Sequence, residues 1–222
     1  YAASGSGRGV DLNNDVIAAS GTVSMSGQHN TGATYAISLS GSTSITAGTG
    51  VTLESLNDNT GTIALLSSGG IDGGSGTVLM RAANYAFGGA DRTITTTGVL
   101  TIEPDADENS FASSFDNQYL NPVSVTGLTL GKSSNASAIT LSRAISLSGP
   151  VSIYGGSIDV NANITANSGN ILLDADTGST LNQSSTGILL DDAITIETVT
   201  SGNLTLIGRS GDTGSGFDGI DA

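Results

Sequence analysis

Carboxylates are the residues of this chain best placed to do chemistry. The densest group is Glu103, Asp105, Asp107, Glu108 and Asp116, inside EPDADENSFASSFDNQYLNP and bracketed by Pro104 and Pro122. Hard carboxylate oxygens concentrated in a loop are the ligand type that Ca²⁺ takes, so these five form the candidate calcium set. The plain alternative is a solvated acidic loop. Two other segments carry acids among glycines: GGIDGGSG (Gly69 to Gly76) and GDTGSGFDGID (Gly211 to Asp221). The first is a calcium-repeat phrase without repetition and with its Asp misplaced, and the second has the wrong ligand spacing. Asp191 and Asp192, in ILLDDAIT, are an adjacent acid pair. Neighbours on a strand point to opposite faces, so this pair marks a corner and not a catalytic dyad.

Acid–base and nucleophilic chemistry find little else. His29, in SGQHNTG, is the one histidine and has no acid beside it in sequence, which is the setting of an exposed turn residue. GGSGT at Gly73 does not have the spacing of a Gly-x-Ser-x-Gly elbow. With no cysteine there is neither a disulfide framework nor a thiolate metal site. A polysaccharide lyase or hydrolase needs converging carboxylates, often beside Arg, Lys or His. That alternative predicts a groove in which at least three acids meet.

Binding chemistry points to aromatics. Tyr85, Phe87, Phe111, Phe115 and Tyr119 lie in two segments, 81–92 and 103–122, that interrupt the rhythm of the rest. Aromatics on loops over a polar β-surface are a common grip on sugars or proteins, so these five are candidate contacts. The alternative is a lid folded back over the flank. Thr-x-Thr pieces such as TITTTG (Thr93 to Gly98) invite an ice-binding comparison. The outward positions, however, mix Ser, Thr, Asp, Asn and Ala where that activity needs a repeated Thr array.

What must position these residues is legible between Ala138 and Asp176. Apolar pairs one residue apart recur at Ile139/Leu141, Ile145/Leu147, Val151/Ile153, Ile158/Val160 and Ile171/Leu173, with Ile164 alone in its slot. A spacing of two within a pair is the strand period and sends both members to one face. The pairs follow one another every six or seven residues, too fast for hairpins of full-length strands. Three such steps close a lap of roughly 19–20 residues, so the fold class is an all-β parallel β-solenoid with about three short strands per lap. These eleven aliphatics are the predicted inward stack. Pairs of the same kind run through the rest, from Val10/Leu12 to Leu204/Leu206, including a lone Leu181. Corners fall at NDNTG (Asn57 to Gly61) and at Gly69 to Gly76, where Gly, Asn and Asp tolerate sharp turns. Residues 81–92 and 103–122 read as excursions from the flank, the second as a loop insertion in a single segment spanning 1–222.

Composition agrees. Gly supplies 32 of 222 residues and charged side chains only 12%, unlike an ordinary globular enzyme. The regular aliphatic pairs argue against disorder. Twenty acids face six Lys and Arg, for a net charge of −14. Such a chain repels phosphate backbones and excludes nucleic acid as a direct partner, while its charge keeps a β-rich surface soluble. No apolar run approaches the roughly 18 residues of a membrane-spanning helix. The chain opens at Tyr1 without an initiator Met, as expected of an excised or mature segment. GFDGID near its end echoes GVDLNN near its start, 207 residues apart, as a fragment slightly longer than one unit of an array would.

Several phrases carry a family likeness. TTTGVLTIEPDADENSF, TGLTLGKSSNASAITL and AISLSGPVSIYGGSIDVNANITANSGNILLDAD, between about Thr95 and Asp176, resemble the repeat regions of giant bacterial surface proteins of the filamentous-haemagglutinin-like type. The resemblance implies a right-handed parallel β-helix, export to the cell surface or medium, and a role in adhesion or biofilm architecture without an active site. It implies no cofactor beyond Ca²⁺ at the acids named above. Its implied partners are neighbouring repeats or like filaments and host or matrix glycans or proteins.

Overall fold

Twenty-five β-strands and no helix make up the described residues of the computed structural model, namely 8–29, 35–56, 60–66, 69–88, 92–175, 186–209 and 218–222. Every strand pairing is parallel, and every lap contributes one strand to each of three sheets. The fold is therefore a parallel β-solenoid. It divides into two units, Tyr1–Glu108 with Tyr119–Val125, and Asn109–Gln118 with Thr126–Ala222.

In the first unit, one sheet stacks β1 (Val10–Leu12), β4 (Ile37–Leu39), β7 (Thr62–Leu65) and β10 (Asn84–Phe87). A second stacks β2 (Val16–Ala18), β5 (Ile45–Ala47), β8 (Ile71–Asp72), β11 (Arg92–Thr95) and β14 (Leu120–Val123). The third holds β3 (Val23–Gly27), β6 (Val51–Ser55), β9 (Val78–Arg81) and β12 (Val99–Glu103). The second unit repeats the plan. Its sheets are β13 (Phe115–Asp116), β16 (Ile139–Leu141), β19 (Ile158–Val160), β22 (Ile188–Leu190) and β25 (Ile220–Asp221); β17 (Ile145–Leu147), β20 (Ile164–Ser168) and β23 (Ile196–Ser201); and β15 (Gly127–Leu130), β18 (Val151–Tyr154), β21 (Ile171–Ala175) and β24 (Leu204–Gly208).

Register explains why alternation is enough to build this. Ile139 lies opposite Ile158 and Leu141 opposite Val160, Ile145 opposite Ile164, and Val151 and Ile153 opposite Ile171 and Leu173. Period-2 side chains in parallel strands of matched register form columns, aliphatic on aliphatic, along the inside of each sheet. All eleven residues of the predicted inward stack are buried. The slot that follows Ile164 is filled by Ala166, buried as completely and opposite Leu147.

Lap length varies more than that stretch suggests. Laps of 19 and 20 residues hold from Ile139 to Ile158 and from Val151 to Ile171. In the first unit Val10 meets Ile37, and Ile63 meets Tyr85. Later in the second unit Ile158 meets Ile188 and Ile171 meets Leu204. The added residues sit at corners, since the strands between them keep their pairing. Among the predicted corner and core positions, Asn57 to Asn59 and Leu181 lie outside the described residues.

Both segments expected as excursions contain ladder strands. Residues 84–87 are β10, with Tyr85 opposite Ile63 and Phe87 opposite Leu65. Within 103–122 lie β13, with Phe115 opposite Ile139, and the start of β14, with Leu120 opposite Arg92. The aliphatic beat fades there because aromatic rings occupy column positions. Residues 104–114, between β12 and β13, carry no regular strand.

Corners need small residues where one lap crosses over another. A Cβ on Gly202, which has φ 131°, would stand 1.9 Å from the carbonyl oxygen of Gly169 in the lap beneath. Asn and Asp side chains continue the ladder through other corners. The Ser44 N–H donates to Asp15 Oδ1 (2.8 Å), Thr195 N–H to Asn163 Oδ1 (2.8 Å) and Asn203 N–H to Asn170 Oδ1 (2.9 Å).

Two substitutions test this architecture by thermal unfolding. Ile158→Asp puts a charge into a closed column and is expected to cost about 4 kcal/mol or more, melting neighbouring laps with its own. Gly202→Ala is expected to cost about 1–3 kcal/mol through backbone strain. An unchanged melting curve for Ile158→Asp would rule the column out as the source of stability.

Candidate functional site

The candidate aromatics belong to the interior. Tyr85 and Phe87 extend the columns of Ile37/Ile63 and Leu39/Leu65, and their half-buried rings stack with centroids 6.4 Å apart. Phe115 begins the column that continues through Ile139, Ile158 and Ile188. Phe111 stacks on it at 5.5 Å, and each of the two rings is only 4% exposed. β10 and β13 are terminal strands of their sheets, so in each unit an aromatic pair closes one end of an aliphatic column. Wide rings cover the column end where a further strand would otherwise supply the contact. This corrects the expectation of displayed contacts for Tyr85, Phe87, Phe111 and Phe115. Tyr119, at a turn before β14, is half-buried.

Polar chemistry concentrates around Tyr85. Its hydroxyl lies 2.8 Å from the Met80 carbonyl and 2.9 Å from the Glu103 carbonyl, two acceptors on strands one lap apart. Outside the same sheet, Glu54, Arg81 and Glu103 occupy one column in register. Arg81 Nε donates to Glu103 Oε1 at 2.5 Å, and its Nη1 lies 3.8 Å from Glu54 Oε1. Glu103 is thus spoken for by a guanidinium. The hydrogen bond to Glu103 holds the Arg81 guanidinium above its usual range, against the opposing effect of burial. Burial, and behind it the Glu103 charge, pushes the Tyr85 phenol well above the usual tyrosine range.

The remaining acids of the candidate calcium set have separate tasks. Asp105 is buried, and its Oδ1 accepts from the Ala106 N–H at 2.7 Å. Its carbonyl accepts from the Glu108 N–H at 3.1 Å, closing a turn. Asp107 is exposed and Glu108 half-buried. Asp116 Oδ1 accepts from the Gln118 N–H at 2.9 Å and Oδ2 from the Ser142 hydroxyl at 3.1 Å. Among the described residues, no three His, Cys, Asp or Glu side chains gather where they could share a cation. The calcium expectation at these five is corrected accordingly: consecutive acids in the sequence are spread by turns and by strand alternation.

Other singled-out residues resolve in the same way. His29 Nε2 lies 3.3 Å from the Thr60 carbonyl, one lap on. Asp72 Oδ1 accepts from the Gly74 N–H at 2.9 Å and so shapes a turn. Asp191 and Asp192 stand at a corner, and Ala193 beside them has φ 63°. Within TITTTG, Thr96 is buried and its hydroxyl donates to corner carbonyls of Gly74 and Gly76, so the Thr run does not form one outward array. Of GDTGSGFDGID, residues 211–217 lie outside the described residues and Ile220–Asp221 form β25.

Two buried asparagines escaped the sequence reading. Asn135 Oδ1 accepts from the N–H of Phe111 and of Ser137, each at 3.2 Å. Its Nδ2 donates to the carbonyls of Tyr154 (2.8 Å) and Ser137 (3.3 Å). Asn117 clasps the backbone of Arg143, donating to its carbonyl and accepting from its N–H, both at 2.9 Å. Each replaces backbone partners that a corner would leave orphaned. Only a polar residue inside an otherwise regular corner would have signalled them.

Comparison with protein families, with curated proteins and with solved structures returned no match.

Asn135→Ala is expected to cost about 2–3 kcal/mol, because it strands buried donors and acceptors. Tyr85→Phe keeps the ring and loses about 1 kcal/mol with the hydroxyl's bond. The Tyr85 phenol also sets an alkaline limit. In the unfolded chain it ionises near pH 10, whereas the folded chain holds its proton to higher pH. Its contribution is therefore complete below about pH 10 and lost as pH rises towards the folded value. Chemical denaturation of the parent and of Tyr85→Phe between pH 8 and 11 should show a steeper alkaline loss for the parent, and parallel curves would refute the assignment.

Proposed function

We propose that this chain is a structural segment of an extracellular bacterial adhesin or biofilm-matrix filament, a stiff stack of laps that acts as a spacer and presents its corners. The observation that carries this is the continuous parallel ladder with dry aliphatic columns inside it. Such a stack draws its stability from nearest neighbours, so it can be lengthened by adding laps without designing a new core. Its outward positions between Ile139 and Ile171 are small and polar, among them Thr140, Ser146, Ser152, Asp159 and Thr165. The acids and aromatics that an enzyme or lectin would gather at one place are instead committed one by one to turns, columns and an ion ladder. The likeness of its phrases to filamentous-haemagglutinin-type repeats supports the same role.

The test has two arms. Antibodies against the folded chain should label intact, unpermeabilised producing cells or their matrix, and labelling only after permeabilisation would overturn the proposal. Incubation with acidic polysaccharides should release no sugar, and added Ca²⁺ or chelator should leave the melting temperature within about 1 °C, since a ligand that binds only the folded state raises it. Sugar release would favour the β-helical polysaccharide-processing alternative, and a calcium-dependent rise the calcium-stabilised surface module.

A further inference from the structure

The last lap of the second unit differs from the laps beneath it. In the outward column of its first sheet, Asp116, Thr140 and Asp159 give way to Leu189, 41% exposed. Beside it in the same lap, the outward Tyr154 and Asp174 give way to Ile207, 40% exposed. Inside, Leu190, Ile196, Leu204 and Leu206 surround a cavity of about 350 Å³, with Asp191 and Asp192 at its corner. β24 is the terminal strand of its sheet, so among the described residues its outer edge carries the backbone donors and acceptors that each inner strand shares with the next.

These features specify an occupant. The cavity calls for apolar side chains on alternate residues, continuing the columns Ile171–Leu204 and Leu173–Leu206. The edge calls for an extended backbone in parallel register. An added β-strand meets both demands at once, and the surface it joins continues the lap-on-lap interface already running through the unit. Charge selects the other face of that strand. Asp191, Asp192, Glu197, Asp218 and Asp221 are exposed in this lap, against Arg209. Lysine or arginine at the outward positions complements these carboxylates, and their methylene stems can cover Ile207. A second copy of this chain, itself at net −14, is repelled instead.

We infer that the β24 end of the second unit is a strand-addition site for a partner segment with alternating apolar and basic residues. The probes are two labelled seven-residue peptides, one alternating Val with Lys and one alternating Val with Glu, titrated against the whole chain by fluorescence anisotropy. The Val/Lys peptide is expected to bind at least tenfold more tightly at low salt and to slow hydrogen exchange at the amides of 204–208. The double variant Asp191→Asn with Asp192→Asn, conservative at an exposed corner, should weaken it several-fold while leaving the melting temperature unchanged. Equal binding of the two peptides overturns the inference. So does slowed exchange elsewhere than 204–208, or self-association of the chain through those residues in sedimentation.

Discussion

Each strand here is too short to stand alone, and the parallel backbone ladder between laps is what makes it a strand at all. A three-residue segment such as Ile145–Leu147 gains its partners only because Ile164–Ala166 runs beside it in the same direction and register. The same register places Ile145 against Ile164, so one constraint satisfies the backbone and the core together. Neither term suffices by itself. Ordering a residue's backbone costs about 1–2 kcal/mol, and buried aliphatics return about 1.5–3 kcal/mol each only where a neighbouring lap covers them.

Most of that constraint was legible in the sequence. Pairs such as Ile139/Leu141 and Val151/Ile153 report the inward face directly, because a two-residue spacing has no other meaning in so short a segment. Their rapid succession pointed to a coil of strands, and the sheets formed by β16, β17 and β18 are what that beat describes. Reading aliphatics alone had a cost, however. Tyr85 and Phe115 sit in columns but broke the pattern by type, so the strands that hold them looked like loops. Ala166 was passed over because alanine is too common on surfaces to signal a core.

The candidate sites were less legible, for a physical reason. Nearness in sequence implies nearness of side chains only where the backbone holds them on one face. Asp105, Asp107 and Glu108 occupy a turn, and Glu103 ends a strand whose outward column already contains Arg81. Partners in a solenoid are one lap away, and because lap length changes along the chain that distance cannot be counted off in advance. Asn117 with Arg143 and Asn135 with Tyr154 are contacts of this kind. Their amides look like ordinary loop polarity until the neighbouring lap is in place.

The spread of lap lengths, from Ile139–Ile158 at one extreme to Ile171–Leu204 at the other, bears on how such a chain can change over time. An insertion or deletion at a corner alters only a bulge on the outside, and each aliphatic still meets its neighbour. The same slip by one residue within a strand would turn every following side chain of that strand inside out. Genetic drift in length is thereby channelled into the corners, so the parts of the molecule that meet the surroundings can diversify while the scaffold stays in frame.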